Sequence, residues 1–131
     1  MAGYSHTPLA QKLGIKPQTR LALDGAPGGW AVPDLPDGVT AAAAAEPADV
    51  VVAFFREAAE LPERLPGLAQ RIFPAGALWV AWPRRAGGHE SDITENGLRD
   101  HALPLGIVDI KVAAIDPDWS GLKFVWRVEN R

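Results

Sequence analysis

Apolar positions along the chain fall into two kinds of pattern. Residues 49–55 (DVVVAFF) and 77–82 (ALWVAW) are almost continuously apolar. Strands of that kind are buried on both faces, as in parallel sheets covered by helices. Between them, Ala58, Leu61, Leu65, Leu68 and Ile72 recur at alternating spacings of three and four, one stripe of a helix. Pro62 and Pro66 interrupt that stripe. Because proline fits a helix in its first turn, the pattern predicts a short helix to about 61 and a second over 62–72.

The same reading predicts a short helix over 8–13, with Thr7 as N-cap, Pro8 at its first position and Gly14 ending it. A first strand is expected over 20–26, then a tight turn at Pro27-Gly28-Gly29-Trp30 leading into a short helical segment before Pro33. The alanine-rich stretch over 39–44 is read as a short strand. Its position between two strands outweighs alanine's helix propensity. A polar loop over 83–92 precedes a helix capped by Thr94 or Asp92, running to about 103. Residues 107–115 alternate, with Val108, Ile110, Val112 and Ala114 on one face and Asp109 and Lys111 on the other. Asp109 and Lys111 then read as a local ion pair on an edge strand. Leu122, Phe124, Trp126 and Val128 form one side of a last strand, with Trp119-Ser120-Gly121 closing the turn before it. These two strands lie too close together for a crossover, so they form an antiparallel hairpin.

The whole predicts one three-layer α/β domain over residues 1–131, mostly parallel, with strand order 2-1-3-4-6-5. The order reverses between the first and third strands. Ligands of open α/β sheets bind at such a switch point, outside the carboxyl ends of the strands.

Composition narrows the chemistry. The 131 residues contain no cysteine, which excludes disulfides, thiolate metal sites and thiol catalysis. Net charge is −3, which disfavours general nucleic-acid binding. The start, MAGYSHTPLAQKLG, shows no charged-then-apolar leader, and no apolar run approaches a membrane span. A soluble, cytoplasmic protein is expected. His6, His89 and His101 lack metal-ligand spacing, so no metal site is assigned. Ser5, Ser91 and Ser120 sit in no nucleophile-elbow sequence.

The phrases KLGIKPQTRLALDGAPG and FPAGALWVAW, with the terminal hairpin, resemble the Rossmann-like fold of S-adenosylmethionine-dependent methyltransferases. Over nearly the full length, GYSHTPLAQKLGIK, GAPGGW, ADVVVAFF, LWVAWPRR and GIVDIKVAAIDPDWSGLKF resemble the bacterial family of domain of unknown function 3052. That resemblance implies a compact Rossmann-like domain and hands over no catalytic residue. APGGW is also similar to the cofactor loop of ribosomal-RNA ribose methyltransferases, acidic-x-Gly-x-x-Pro-Gly-Gly-Trp. Aligned on Pro27 to Trp30, Ala22 falls at the acidic position and Asp24 at the first glycine. The Lys–Asp–Lys–Glu set of those enzymes finds no place on this chain.

Candidate ligand-binding residues follow from the switch point. Gly25, Pro27, Gly28, Gly29 and Trp30 form a glycine loop after the first strand. Glu46, after the second, is placed to hold a ribose hydroxyl. Phe55 and Arg56 leave the third strand. Trp82, Arg84 and Arg85 leave the fourth, with a ring to stack and two guanidiniums for a phosphate or carboxylate. Each has a plainer reading: a shaped turn, an exposed loop acid, core packing, a solvated loop.

The residues name no cofactor by themselves. The resemblance implies S-adenosylmethionine or a nucleotide. The displaced acid, the short chain and the single short strand between the first and third strands favour a non-catalytic module for a small anionic ligand or a protein partner. The alternative is a compact methyltransferase-like or nucleotide-using enzyme. A nucleic-acid contact through Lys12, Lys16, Arg84, Arg85 and Lys111 ranks third. An edge strand and five tryptophans leave dimerisation open.

Overall fold

The computed structural model describes residues 7–131. His6 and Ser5 lie outside them. Six strands form one sheet: β1 Arg20–Asp24, β2 Thr40–Ala41, β3 Val50–Phe54, β4 Ala77–Pro83, β5 Ile107–Ala114 and β6 Trp119–Trp126. Their order is β2-β1-β3-β4-β6-β5, the order expected from the sequence and its resemblance to the methyltransferase-like fold. β1, β2, β3 and β4 are mutually parallel, and β6 runs antiparallel to both β4 and β5.

β3 is buried at every position, and β4 at every position but Pro83. Val51, Ala53, Leu78, Val80, Leu122, Phe124 and Trp126 face two helices, α2 Leu61–Arg71 and α3 Glu95–Ala102. Leu21, Val50, Val52, Phe54, Trp79 and Ala81 face the other side, against α1 Leu9–Leu13, Ile15 and Val32. Trp79 and Trp82 therefore lie on opposite faces, as their odd spacing requires.

The third layer departs from expectation. Among the described residues α1 is the one helix on the second face, joined there by Ile15, Ile115 and the irregular β1–β2 connection. No helix follows Trp30, because residues 31–38 contain Pro33 and Pro36 in mixed turns and extended backbone. β1 ends at Asp24, where Gly25 turns at φ 69°. β2 is reduced to two residues.

Three helix details also differ. Pro8, not Thr7, occupies the position before α1 and supplies no side-chain cap, whereas Gly14 adopts the left-handed conformation expected of it. A 3₁₀ turn over Ala58–Glu60 leads directly into α2, which keeps Pro66 inside it. Pro62 and Pro66 are both exposed, so water can satisfy the carbonyl that loses its amide partner. Thr94 caps α3, its hydroxyl accepting the Gly97 N–H at 3.0 Å.

The hairpin corrects two more expectations. A β-bulge between Asp109 and Lys111 puts Asp109 opposite Phe124 and Lys111 opposite Lys123. Since Phe124 and Lys123 are neighbours, the bulge sends Asp109 and Lys111 to opposite faces. They form no pair; Asp109 instead accepts the Arg99 guanidinium at 3.0 Å. Trp119, Ser120 and Gly121 belong to β6 rather than to the turn, and Val128 lies beyond the strand, 76% exposed. No helix among the described residues is long and apolar enough to cross a membrane.

Candidate functional site

At the carboxyl ends of β1, β3 and β4 the chain leaves the sheet through the loops that the switch point singles out. Gly25 and Arg56 meet there: the Arg56 guanidinium donates to the Gly25 carbonyl at 2.9 Å. Pro27 to Trp30 form a hydrogen-bonded turn, with the Trp30 N–H on the Pro27 carbonyl at 3.0 Å and Gly29 at φ 78° in its third position. The turn leads into no helix, so the loop lacks the helix N-terminus that would aim amides and a dipole at a phosphate.

Trp30 packs down onto the sheet. Its ring meets Phe54 edge-on at 4.8 Å, and Phe54 meets Trp119 likewise at 4.9 Å. The Trp30 indole donates to Asp116 at 2.9 Å, tying the glycine loop to the β5–β6 turn. Phe55 is fully buried, and the Arg64 guanidinium lies 4.0 Å over its ring.

Arg64, in α2, is the residue the sequence reading missed. It donates to the Phe54 carbonyl at 2.7 Å, to Glu60 at 2.9 Å and to Asp24. It thereby fills the gap between the ends of β1 and β3. Its pairing with Glu60, four residues earlier, is a local signal, but its partners on β1 and β3 are far away in sequence. Glu60 also accepts the backbone N–H groups of Arg56 and Glu57, both at 2.8 Å. Burial pushes its carboxyl upward, but these two amides and Arg64 outweigh burial and hold it below its ordinary value.

Beyond β3 and β4 lies an open cleft of about 950 Å³. Arg56 and Glu57, from the exit of β3, and Arg85, Gly88, His89 and Glu90, from the loop after β4, line it. Asp92 also lines it, its carboxylate accepting the Ala58 N–H at 2.8 Å. The Arg84 N–H bonds the Asp118 carbonyl at 2.9 Å, and His89 bonds the Asp118 carboxylate at 2.9 Å. A β-carbon on Gly87 would sit 2.2 Å from the Pro117 carbonyl, so only glycine lets these two loops close on each other. A narrower groove of about 330 Å³ runs along α2, between Asp24, Arg64, Arg71 and the crossover residues Ala45 and Pro47.

The residues singled out from the sequence thus separate. Gly25, Pro27, Gly28, Gly29, Trp30, Phe55, Arg56, Trp82, Arg84 and Arg85 all stand around the same end of the sheet. Arg56 and Arg85 share the cleft. Trp82 is buried on the α2/α3 side. Glu46 stands at the opposite end: its carboxylate accepts the Ala43 N–H at 2.8 Å and pairs with Arg20, the first residue of β1, at 3.3 Å. The crossover from β2 has already carried the chain back toward the start of β3 by that point. Among the described residues no group of three His, Asp or Glu side chains is gathered as for a metal ion.

No family model and no curated protein matches the chain. Among solved structures it is similar to a protein of the NADB-Rossmann superfamily from Streptococcus agalactiae. Identity there is 9% and the TM-score 0.55, over 95% of this chain and 70% of the other. It is also similar to LepI in complex with SAM and to a pericyclic reaction enzyme. Each is 12% identical at a TM-score of 0.47, over 91% of this chain and 39% of theirs, so this chain spans well under half their length. The first of these likenesses, with the sheet order, defines the class: a Rossmann-like α/β domain.

Proposed function

We propose that the protein binds a small ligand carrying both an anionic and a cationic group, of the adenosylmethionine or nucleotide type, in the cleft beyond β3 and β4. One observation carries this reading: Arg56 and Arg85 line the cleft together with Glu57 and Glu90. Two guanidiniums suit a carboxylate or phosphate, and the two acids suit an ammonium or sulfonium. The position suits it too, since ligands of open α/β sheets sit outside the carboxyl ends of the strands.

A compact methyltransferase-like or nucleotide-using enzyme is the form of this reading that the fold likeness favours. The alternative is a non-catalytic ligand-binding or interaction module. A specific observation supports that one: Arg64 and Arg56 occupy the space between β1 and β3, and Glu46 is far from any ribose held there. A ligand placed over β1 in the customary way does not fit these side chains. One placed over β3 and β4 does. Membership of the family of domain of unknown function 3052, supported by the phrases quoted above, belongs to the same proposal. So does a cytoplasmic setting, which a cysteine-free chain suits.

Tryptophan fluorescence and thermal-shift titrations with adenosylmethionine, adenosylhomocysteine, NAD and nucleotides test it. The expected result is a saturable response to at least one of them, about tenfold weaker in Arg56→Ala. A response to inorganic phosphate alone would favour the non-catalytic form. No response to any of them would remove the site. Gly28→Val adds a second readout, since a β-carbon there meets nothing within 4 Å. An unchanged response in that variant would exclude the glycine loop from the site.

A further inference from the structure

β5 is the outermost strand of the sheet, and among the described residues only β6 pairs with it. Eight residues long, it exposes Ile110 (57%) and Val112 (56%), two of the most exposed large apolar side chains among the described residues. Proteins ordinarily keep such an edge short or polar, because its free amides and carbonyls recruit another strand.

The edge is also cationic, in a chain whose net charge is −3. Lys111 stands directly opposite Lys123, an arrangement that costs stability through repulsion. Lys16 lies near enough to repel Lys123, and Lys12, whose ammonium donates to the Ala114 carbonyl at 2.8 Å, is near enough to feel Lys111 and Arg84. Asp116, from the facing turn, acts on Lys12 in the opposite sense. Among the described residues Lys16, Lys111 and Lys123 form no ion pair. Burial, then Lys111 and Lys16, hold the Lys123 ammonium below its ordinary value.

Register sorts these features onto two faces. Lys111 and Lys123 align with Trp79, on the α1 side. Val112 aligns with Leu122, on the α2/α3 side. A strand laid beside β5 would alternate between the two faces, meeting lysines on one and valine on the other.

We propose that β5 accepts an extended peptide of alternating acidic and apolar residues as a seventh strand of the sheet. Strand addition of this kind draws affinity from main-chain hydrogen bonds and selectivity from alternate side chains. A second copy of this chain is the wrong occupant, since it would set one lysine row against another. A nucleic acid would leave Ile110 and Val112 without a role, and β5 itself carries no aromatic ring for it to stack on.

The test is fluorescence anisotropy with a labelled peptide of about ten residues alternating valine and glutamate. Comparison probes are a valine–lysine peptide, a peptide of the same valine and glutamate content in two blocks, and a polyuridine RNA. Saturable binding of the alternating acidic peptide is expected, weakening as salt is raised. Lys111→Glu with Lys123→Glu should weaken it about tenfold or more. Should that double variant fail to fold, Lys111→Gln and, separately, Val112→Asp carry the test, each weakening the peptide. Arg56→Ala should leave peptide binding unchanged, which separates this surface from the rim cleft. The proposal is overturned by no binding, by equal binding of the block or valine–lysine peptide, or by RNA that binds more tightly and depends on Lys111.

Discussion

A β-carbon on Gly25 would lie 3.0 Å from the Phe54 carbonyl and 3.3 Å from the Arg64 guanidinium, on a backbone already at φ 69°. Three residues on, one placed on Gly28 would touch nothing within 4 Å. The two glycines look alike in the sequence but answer to different constraints. Gly25→Ala should cost about 2 kcal/mol, from left-handed strain and crowding against the Phe54 carbonyl. Gly28→Ala should change stability by less than about 0.5 kcal/mol. Urea unfolding of the two variants side by side checks the difference; equal losses would mean that the loop is not held against β3. The glycine cluster is plain in the sequence. Which glycine is obligatory depends on how close β3 comes, and that is invisible without the sheet.

Among the elements, those set by local chemistry are the legible ones. The continuous apolar runs of β3 and β4 leave no polar face for water, and Leu122, Phe124 and Trp126 alternate cleanly on β6. Thr94 precedes the apolar spacing of α3 as an N-cap should, and its hydroxyl is bound to the Gly97 amide. Thr94→Ala should therefore destabilise by about 1 kcal/mol, read as a lower urea midpoint with unchanged slope, while Thr94→Ser should lose little. Other elements depend on partners that local sequence does not show. The bulge at Ile110 exists only in the pairing with β6, and it reverses the face of everything before it on β5. Glycine and tryptophan after β1 suggested a strand-to-helix turn. The prolines that follow, and a sheet face that Trp30, Val32 and Val39 can cover without a helix, leave that segment irregular.

At the scale of the whole molecule, Glu60 and Arg64 join pieces that local sequence keeps apart. Together they hold the exit of β3, the entry to α2 and the end of β1. Because the folded chain holds the Glu60 carboxyl below its ordinary 4.5, this group's contribution is present above that value. It is lost as pH falls through the lower, folded value, since the unfolded chain then binds the proton more readily. Stability should accordingly decline on acidification more steeply in the native protein than in Glu60→Gln. Urea unfolding at intervals between about pH 6 and pH 3 measures both slopes. Equal slopes would show that Glu60 is not coupled to folding.

From the chain alone came the α/β class, the strand order and the end of the sheet where loops gather. The class and the terminal hairpin follow from period, run length and the room that each connection leaves for a crossover, all local properties of the polymer, and the full strand order follows from the resemblance to the methyltransferase-like fold. Tertiary structure alone decided that Arg64 fills the β1–β3 gap, that Glu46 sits at the far end, and that Arg56 and Arg85 share a cleft. It also gathered Lys16, Lys111 and Lys123 at one edge. Those outcomes depend on distances between residues far apart in sequence, and such distances arise only once the strands have paired and the helices have packed.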